Sequence, residues 1–421
     1  MLIKQVIAII IFLVVMLAII SEKVNRAIAA MAGALLMIIF NILSVEQGLH
    51  HIDFNTIGVL IGMMLFVSVV KNSGVFEYIA IFSAKKSKGD PWKIMLCFVI
   101  LTAVLSAVLD NVTTVLLIGP MTIVITQILN INPTPFLVTQ ILASNIGGTA
   151  TLIGDPPNIM IGSAANLSFA DFIINLGPIV LIILFLTILC FKFMFKKQLF
   201  VDDKAKEKIL NLDEKKAIKD KPLLIKSIIM IIFILLGFIL HNVLNLESSI
   251  VALTGATIMM FIGKQDVDEI LSSIEWSTIA FFGGLFVIVG GLVEVGIINN
   301  IAQYLISATS GHLVLTMLVI LWLSAIISSF LDNIPFVATL IPLILTMQGQ
   351  GIDVMPIWWA TSLGACLGGN GTLIGASANI VLANVGQKNG YPISFKDYFK
   401  IGFPLMIFSI LISTIYLLIR F

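Results

Sequence analysis

Three aspartates lie in segments that are otherwise almost free of charge, and their side chains are the best placed in this sequence to do chemistry. Asp110 and Asp332 each precede an asparagine, and Asp155 lies among glycine, threonine and proline. A charged side chain at the centre of a bilayer costs roughly 2.5–3.5 kcal/mol even on a lenient scale. No Arg or Lys is close to them in sequence. Each aspartate is therefore expected to bind a cation or to carry a proton, which would couple transport to an ion gradient.

Two interruptions of apolar helices form the second feature. Residues 144–158 contain three glycines and two prolines, and residues 368–379 repeat the pattern more weakly. A helix break at membrane depth is tolerated only where protein buries it or where it lines a wet cavity. Paired breaks in corresponding halves indicate the binding site of a secondary transporter. The free carbonyl groups of a break suit a cation, and its free N–H groups suit an anion.

The acidic turns and the breaks together form the predicted ion- and substrate-binding site. Glycine lets the backbone approach a ligand closely, and the polar side chains supply oxygen ligands. The predicted residues are Asp110, Asn111, Thr113, Thr114, Ser144, Asn145, Gly147, Gly148, Thr149, Thr151, Asp155, Asn158, Ser328, Asp332, Asn333, Gly368, Gly369, Asn370, Thr372 and Asn379. A Na⁺ site is predicted at Asp110, Asn111, Asp332 and Asn333. The alternative role for the two turn aspartates is helix N-capping, which Ser or Asn would fill at lower cost.

The composition is that of a multi-pass membrane protein, and the plasma membrane is the expected location. Of 421 residues, 59% are hydrophobic and 11% charged, whereas soluble domains carry roughly 25% charged residues. The net charge of +1 gives no indication of a nucleic-acid partner, and none is expected. The three cysteines are far apart in apolar segments, which indicates neither a disulfide framework nor a thiolate metal site.

The chain is duplicated with an offset of about 222 residues. Residues 52–57 align with 274–279, and residues 106–111 align with 328–333. Apolar runs of spanning length occur at Gln5–Ile20, Ala27–Leu43, Phe54–Val70, Phe172–Phe195, Leu223–Leu240, Ile250–Ile262, Trp276–Val293 and Ile401–Ile419.

Lysine placement indicates the path of the chain, because cytoplasmic loops are enriched in Lys and Arg. The loop at 85–88 and the lysine-rich linker fall on one side only if residues 92–126 enter and leave by the same face. Each half then has five crossings, an odd number, so the repeats must be inverted. The predicted fold is an all-α polytopic membrane protein. Its predicted segments are a first repeat (1–195) with re-entrant hairpin 92–126 and broken helix 136–165, a lysine-rich cytoplasmic linker (196–222), and a second repeat (223–421) with re-entrant hairpin 313–347 and broken helix 357–383. The linker is expected to be a solvated loop.

Residues 109–114 and 145–158 resemble the ion-transporter superfamily that includes arsenite permeases, related sodium/proton antiporters, the melanosomal P protein and divalent-anion/sodium symporters. The resemblance covers nearly the whole chain and is strongest to the P-protein and arsenite-permease branch. It implies an elevator-type transporter, commonly a homodimer, whose mobile domain carries the hairpin tips and broken helices.

The match to the divalent-anion branch is incomplete at the hairpin tips. That branch binds sodium and the substrate carboxylate with a Ser-Asn-Thr triplet at each tip. Asn111 and Asn333 match its asparagine, whereas Asp110 and Asp332 replace its serine. The added negative charge favours a cation, a proton or a weakly charged inorganic substrate over a dicarboxylate.

The sequence therefore predicts a secondary active transporter that exports a small inorganic ion, arsenite or Na⁺, in exchange for protons. A sodium-coupled di- or tricarboxylate symporter is the alternative substrate class, and a passive channel is an alternative mechanism. An enzyme is not predicted, because no paired nucleophile and base are evident. The sequence has no GxxxxGK[ST] loop, so ATP hydrolysis would need a separate ATPase subunit. No cofactor is expected beyond the coupling ion, H⁺ or Na⁺.

Overall fold

The computed structural model describes residues 2–21, 23–196, 199–309 and 311–421, and this part of the chain is predominantly helical. The first repeat contains α1 (Leu2–Ser21), α2 (Arg26–Ile39), α3 (Val45–His50), α4 (Phe54–Lys71), α5 (Val75–Lys86), α6 (Pro91–Val108), α7 (Asn111–Ile128), α8 (Thr134–Gly148), α9 (Pro156–Ala165) and α10 (Phe169–Phe195). The linker contains α11 (Asp203–Leu210). The second repeat contains α12 (Lys221–Leu240), α13 (Ser248–Gly263), α14 (Val267–Ser272), α15 (Trp276–Glu294), α16 (Ile297–Ala308), α17 (Leu313–Phe330), α18 (Asn333–Gly349), α19 (Met355–Gly368), α20 (Ser377–Lys388) and α21 (Phe395–Arg420).

Within those ranges, nine helices are long and apolar enough to cross a bilayer, which agrees with a multi-pass membrane protein. Three further apolar helices, α2, α13 and α18, are shorter. The predicted run Ala27–Leu43 is not one helix: α2 ends at Ile39, and Asn41 takes a left-handed conformation with φ of 52°. Asparagine visits that region more readily than most residues, so the chain turns there.

Helix packing establishes the directions of the two repeats. α4 and α13 run parallel, because Gly58 lies against Ser249 and Gly62 lies against Ala252. Their counterparts in the other repeat, α15 and α2, pack in the same way. Each of these helices therefore packs against a helix of the other repeat, as expected for a duplicated chain whose halves interlock.

The repeats are inverted, which confirms the predicted fold class. His51, just before α4, contacts Gly290 and Glu294 near the end of α15. α4 therefore starts at the face where α15 ends, and α15 runs parallel to α2, with Gly33 beside Ile288 and Gly284 beside Ala30. α4 and α2 are thus antiparallel. Because α13 is parallel to α4 but is the counterpart of α2, the second repeat is turned over relative to the first.

Two helix groups with different roles can be distinguished. We call α1, α2, α4, α12, α13 and α15 the frame, and α6–α9 with α17–α20 the core. The core contains two tight helical hairpins, α6/α7 and α17/α18, each with a two-residue turn, and two broken helices, α8/α9 and α19/α20. Residues 136–148 of α8 and 356–368 of α19 are all buried. The breaks are therefore shielded by protein, as backbone at membrane depth requires.

The linker is docked against the core, which corrects the expectation of a solvated loop. Ala205 and Ile209 of α11 are buried, and Lys206 contacts Gly89 at the base of the first hairpin. Glu214 accepts a hydrogen bond from Lys85 on α5 at 2.5 Å, and this bond lowers the pKa of the Glu214 carboxyl. The amphipathic spacing of Ala205 and Ile209 gives the linker one apolar face to bury. Residues 197 and 198 of the predicted linker lie outside the described residues.

Candidate ion-binding site

The first helix break is closed by a side-chain amide. The Nδ2 of Asn158 donates to the backbone carbonyl oxygens of Gly148, Thr149 and Thr151 at 3.4, 3.2 and 2.9 Å. Asn158 is completely buried. Since buried carbonyl groups need partners, this one side chain stabilises the break. Carbonyl groups that were predicted to face a cation are thus already occupied by a protein donor.

The second break is closed in the same way. The Nδ2 of Asn379 donates to the carbonyl oxygens of Gly369 and Thr372 at 2.7 and 2.9 Å. The hydroxyl group of Tyr398 donates to the carbonyl oxygen of Asn370 at 3.1 Å. Asn158 and Asn379 are each the third residue of the helix that follows a break, so the duplication has preserved this support.

Asn145 joins the two breaks at the centre of the core. Its Nδ2 donates to the side-chain oxygens of Asn370 and Asn379, each at 2.9 Å. Its Oδ1 accepts a longer hydrogen bond, 3.4 Å, from Nδ2 of Asn111 at the tip of the first hairpin. All four asparagines are buried. The structure therefore brings together residues that are far apart in sequence, as the inverted repeat predicts.

Asp155 is a fully buried carboxylate and lies between the repeats. Its two oxygens are 3.3 and 3.2 Å from Nδ2 of Asn333, at the tip of the second hairpin. The neighbouring Asn158 accepts a hydrogen bond from Ser362 of α19 at 2.5 Å. The tip of the second hairpin thus contacts the break of the first repeat. This crossed arrangement places ionisable and amide groups from both halves at one point.

The two turn aspartates do cap helices. Asp110 Oδ1 accepts from the backbone N–H of Thr113 at 2.8 Å, and Asp332 Oδ1 accepts from that of Ile334 at 3.2 Å. The alternative role considered for them is therefore present in the structure. Capping uses one oxygen of each carboxylate, and the other takes further contacts. Capping alone does not account for a charged residue at this depth.

The expectation that Asp332 lacks a basic partner is wrong. Arg26, 306 residues earlier in the chain, places Nη1 3.2 Å from Asp332 Oδ2. The same nitrogen donates to Ser377 Oγ at 2.5 Å, and Nη2 donates to Thr278 Oγ1 at 3.2 Å. The pair is not evident from the sequence because its members are far apart along the chain. The inverted fold brings the start of α2 to the tip of the second hairpin.

Two cavities adjoin this cluster. The smaller, about 30 Å³, is lined by Asp110, Asp155, Glu275, Arg26 and Asn333 among others. The larger, about 290 Å³, lies beside the α1–α2 turn and is also lined by Asp332. The four residues of the predicted Na⁺ site are therefore divided, since Asp332 lines the larger cavity while the other three line the smaller one.

Several predicted site residues have structural contacts instead of facing a cavity. Five side chains donate to backbone carbonyl groups within the core: Ser144, Thr149, Thr151, Ser328 and Thr372. Gly147 and Gly368 allow close packing of α8 on α6 and of α19 on α17, and Gly148 lies against Gly154. Thr113 holds Asp110, whereas the buried hydroxyl group of Thr114 has no hydrogen-bond partner among the described residues.

Residues that sequence reasoning missed come from the frame and from the start of α20. They are Arg26, Glu275, Thr278 and Ser377. A signal for Arg26 was available: the sequence has two arginines, and Arg26 is the one that begins a helix. Arginine binds carboxylate and hydroxyl groups with a fixed fork of donors, which lysine does not have. Among the described residues, no group of three His, Cys, Asp or Glu side chains is arranged to hold a metal ion.

Comparison with known proteins identifies the family. The citrate transporter family, CitMHS, matches residues 16–364. The chain belongs to this family. The finding confirms the resemblance to the ion-transporter superfamily and shows that the chain is a membrane transporter and not an enzyme.

Several relatives extend over the whole chain. The chain is 42% identical to a 46 kDa membrane protein of Mycobacterium leprae (strain TN) and 41% identical to an uncharacterized transporter of Mycobacterium tuberculosis, with 99% of each chain covered. It is 32% identical to the human P protein, over 95% of this chain and 58% of that protein.

A solved structure shows the same fold at low identity. The crystal structure of the YdaH transporter of Alcanivorax borkumensis matches with a TM-score of 0.61 and 14% identity. The match covers 86% of this chain and 85% of that one. At this identity the likeness supports the architecture alone.

Proposed function

We propose that this chain is a secondary active transporter that exports a small inorganic ion, Na⁺ or arsenite, in exchange for protons. The small acidic cavity carries this proposal. Asp110, Asp155 and Glu275 line it with Arg26, so three carboxylates face one guanidinium. Its volume of about 30 Å³ holds only one or two water-sized particles. A net negative site of this size suits a dehydrated monovalent cation or a proton.

The two halves of the frame face non-equivalent parts of the core. This asymmetry supports an elevator mechanism, in which the core slides along the frame. The cavity of about 290 Å³ is lined on the frame side by Ile19, Ile20, Val24, Asn25 and Arg26. A second cavity of about 310 Å³ is lined by the corresponding region of the other repeat, at His241, Asn242, Asn245, Leu246, Glu247 and Ser248. The first faces the hairpin tip at Asp332 and the start of α20 at Ser377. The second faces the end of α9, at Ser163 and Asn166.

The size of the displacement follows from the repeat. Arg26 contacts Ser377, the first residue of α20. The counterpart of Arg26 in the other repeat is Ser248, which donates a hydrogen bond to Asn55. Asn55 in turn contacts Ser163 of α9. The counterpart of Ser163 on α20 is Asn384, seven residues after Ser377. At 1.5 Å per helical residue, exchanging the two arrangements moves the core about 10 Å along the frame. We infer that this structure is one of two end states.

A sodium-coupled carboxylate symporter is the second candidate. The family description and the guanidinium of Arg26 in the larger cavity favour it, because arginine matches carboxylate geometry. The surrounding Asp110, Asp155 and Asp332 oppose it, because each would repel a carboxylate substrate in a poorly solvated site. The charge balance therefore ranks the inorganic-ion proposal first. In both candidates the coupling ion replaces any cofactor, and we propose a homodimer as the working unit.

Flux into proteoliposomes tests the proposed function. Purified protein is reconstituted, a pH gradient is imposed, and Na⁺, arsenite, citrate and succinate are supplied in parallel. We expect flux of Na⁺ or arsenite that rises with the pH gradient and stops when a protonophore dissipates it. Flux of a carboxylate that requires Na⁺, with no flux of either inorganic species, would replace this proposal with the symporter. Conductance far above roughly 10³ ions per second would indicate a channel.

A further inference from the structure

We propose that Arg26 holds the unloaded transporter in the conformation seen here, by tying the frame to the core at the α1–α2 face. This inference rests on the proposed movement of the core along the frame. Arg26 belongs to α2 of the frame, and its partners Asp332 and Ser377 belong to the second hairpin and α20 of the core. A bond between groups that move apart stabilises one end state over the other.

The frame fixes the guanidinium from one side. Thr278 of α15 accepts from Nη2 of Arg26 at 3.2 Å and donates to Glu275 at 3.0 Å. The ring of Phe281 lies under the guanidinium, with its centroid 5.2 Å from Cζ. Stacking on an aromatic ring and a fixed hydrogen bond restrict the arginine side chain before the core arrives.

The core supplies two acceptors on the other side. Nη1 of Arg26 lies 3.2 Å from Asp332 Oδ2 and 2.5 Å from Ser377 Oγ, and Ser377 donates to the same carboxylate at 2.7 Å. The side chains of Arg26 and Asp332 are only 30% and 13% exposed. A partly desolvated, charge-assisted contact of this kind is stronger than an ion pair in open solvent.

The duplication shows that this contact has no equal at the opposite face. Four positions of the cluster have counterparts about 222 residues away: Glu275 with Asp53, Thr278 with Thr56, Asp332 with Asp110 and Arg26 with Ser248. The first three pairs keep their chemistry, and Thr56 donates to Asp53 as Thr278 donates to Glu275. The fourth replaces a guanidinium with a hydroxyl group. In the other end state Asp110 would therefore meet serine where Asp332 now meets arginine.

This asymmetry has a consequence for coupling. A cation in the small cavity lies beside Arg26, which lines the same cavity, and repels its guanidinium, so loading weakens the tie. Glu275, Asp110 and Asp155 are the other charged groups around this point, and none supplies positive charge that would replace Arg26. The unloaded core is thus held at the α1–α2 face, and the loaded core is released. Such a restraint prevents movement without cargo, which would dissipate the gradient.

Two single-cysteine reporters test the proposal without relying on transport. In a background with Cys97, Cys190 and Cys366 replaced by alanine, Ile380→Cys reports on this end state, because Ile380 lines the cavity at the α1–α2 face. Its counterpart on α9, Ile159, is 2% exposed and should line the equivalent cavity only in the other end state. Membrane-impermeant maleimide is applied to each face of the vesicles in turn, in the absence of substrate.

Arg26→Gln is expected to raise labelling of the cysteine at position 159 about tenfold and to lower labelling at position 380. Tenfold corresponds to the loss of one charge-assisted hydrogen bond. Ser377→Ala removes a core acceptor and keeps Arg26. Like Arg26→Gln, it should raise labelling at position 159 and lower labelling at position 380, but by a smaller factor. It also provides a test if Arg26→Gln does not fold. Arg420→Gln is the matched control, since Arg420 contacts Tyr416 and Asn175 away from the site.

Unchanged labelling ratios in folded Arg26→Gln and Ser377→Ala would overturn the proposal. Flux through the unaltered protein is measured in vesicles prepared in the same way, so the proposed function and the role of Arg26 can fail separately. If flux persists while labelling does not respond to either variant, the transporter stands and the Arg26 tie does not. If labelling responds as expected but no inorganic ion is carried, the tie stands and the substrate assignment fails.

Discussion

Asp110→Asn is expected to lower gradient-driven ion flux at least about 100-fold while leaving the protein folded. Asparagine is as good a helix N-cap as aspartate, so the bond from the Thr113 N–H, now 2.8 Å, can persist. The substitution removes one of the three carboxylates that line the small cavity. Loss of one charged partner from a buried site weakens binding of the ion there by about 3 kcal/mol or more, which corresponds to a hundredfold change in affinity.

Two comparisons separate a coupling role from a structural one. Thermal unfolding in detergent should leave Asp110→Asn within a few degrees of the unaltered protein, because its shape and cap are preserved. Asp332→Asn should also abolish coupled flux, but unlike Asp110→Asn it should shift the cysteine labelling, because it frees Arg26. Normal flux with unchanged dependence on the pH gradient in Asp110→Asn would show that Asp110 is not a coupling carboxylate.

The largest effect on stability is expected for Gly147→Ala. A Cβ at this position would lie 2.1 Å from the carbonyl oxygen of Ala103 and 2.5 Å from its Cα. Backbone atoms cannot rotate away, so α8 must move off α6, and membrane helices depend on such small residues for close packing. Overpacking of this kind costs about 3 kcal/mol, and the unfolding midpoint should fall by about 5 °C or more.

Gly283→Ala is the matched control for this prediction. It also lies within a membrane-spanning helix, but among the described residues no atom outside its own helix backbone lies within 4 Å of the Cβ it would gain. We expect it to express and unfold like the unaltered protein, because alanine favours a helix more than glycine does. Fluorescence-detected size exclusion after a heating series measures both variants. Equal midpoints for Gly147→Ala and Gly283→Ala would contradict the packing of α8 on α6 described here.

The elements that repeat along the chain were the most predictable from sequence. The hairpins were predicted at 92–126 and 313–347, and the structure has helical pairs at Pro91–Ile128 and Leu313–Gly349 with turns at Asp110 and Asp332. Apolar run length and lysine placement contain this information directly, because both are set by the bilayer. The inverted arrangement then follows from counting crossings, without knowledge of any side-chain contact.

The contacts between distant segments were not predictable in the same way. The carbonyl groups of the first break were assigned to a cation, but Asn158 occupies them. A local pattern shows that a break needs donors and does not show which donor fills the need. Arg26 is absent from the predicted site, because nothing near it in sequence indicates that Asp332 lies 3.2 Å away. The lysines of the linker indicate a solvated loop and conceal the short apolar face of α11.

Cross-linking of frame to core tests the central claim, that the core moves about 10 Å along the frame between two end states. Asn55 and Ser163 are hydrogen-bonded at 3.2 Å, so Asn55→Cys with Ser163→Cys should cross-link in the present state. The counterparts, Ser277 and Asn384, are both exposed here and should meet only in the other state. We predict that Ser277→Cys with Asn384→Cys also cross-links and that either link stops transport. If the first pair links readily and the second never does in actively transporting vesicles, the core does not move as described.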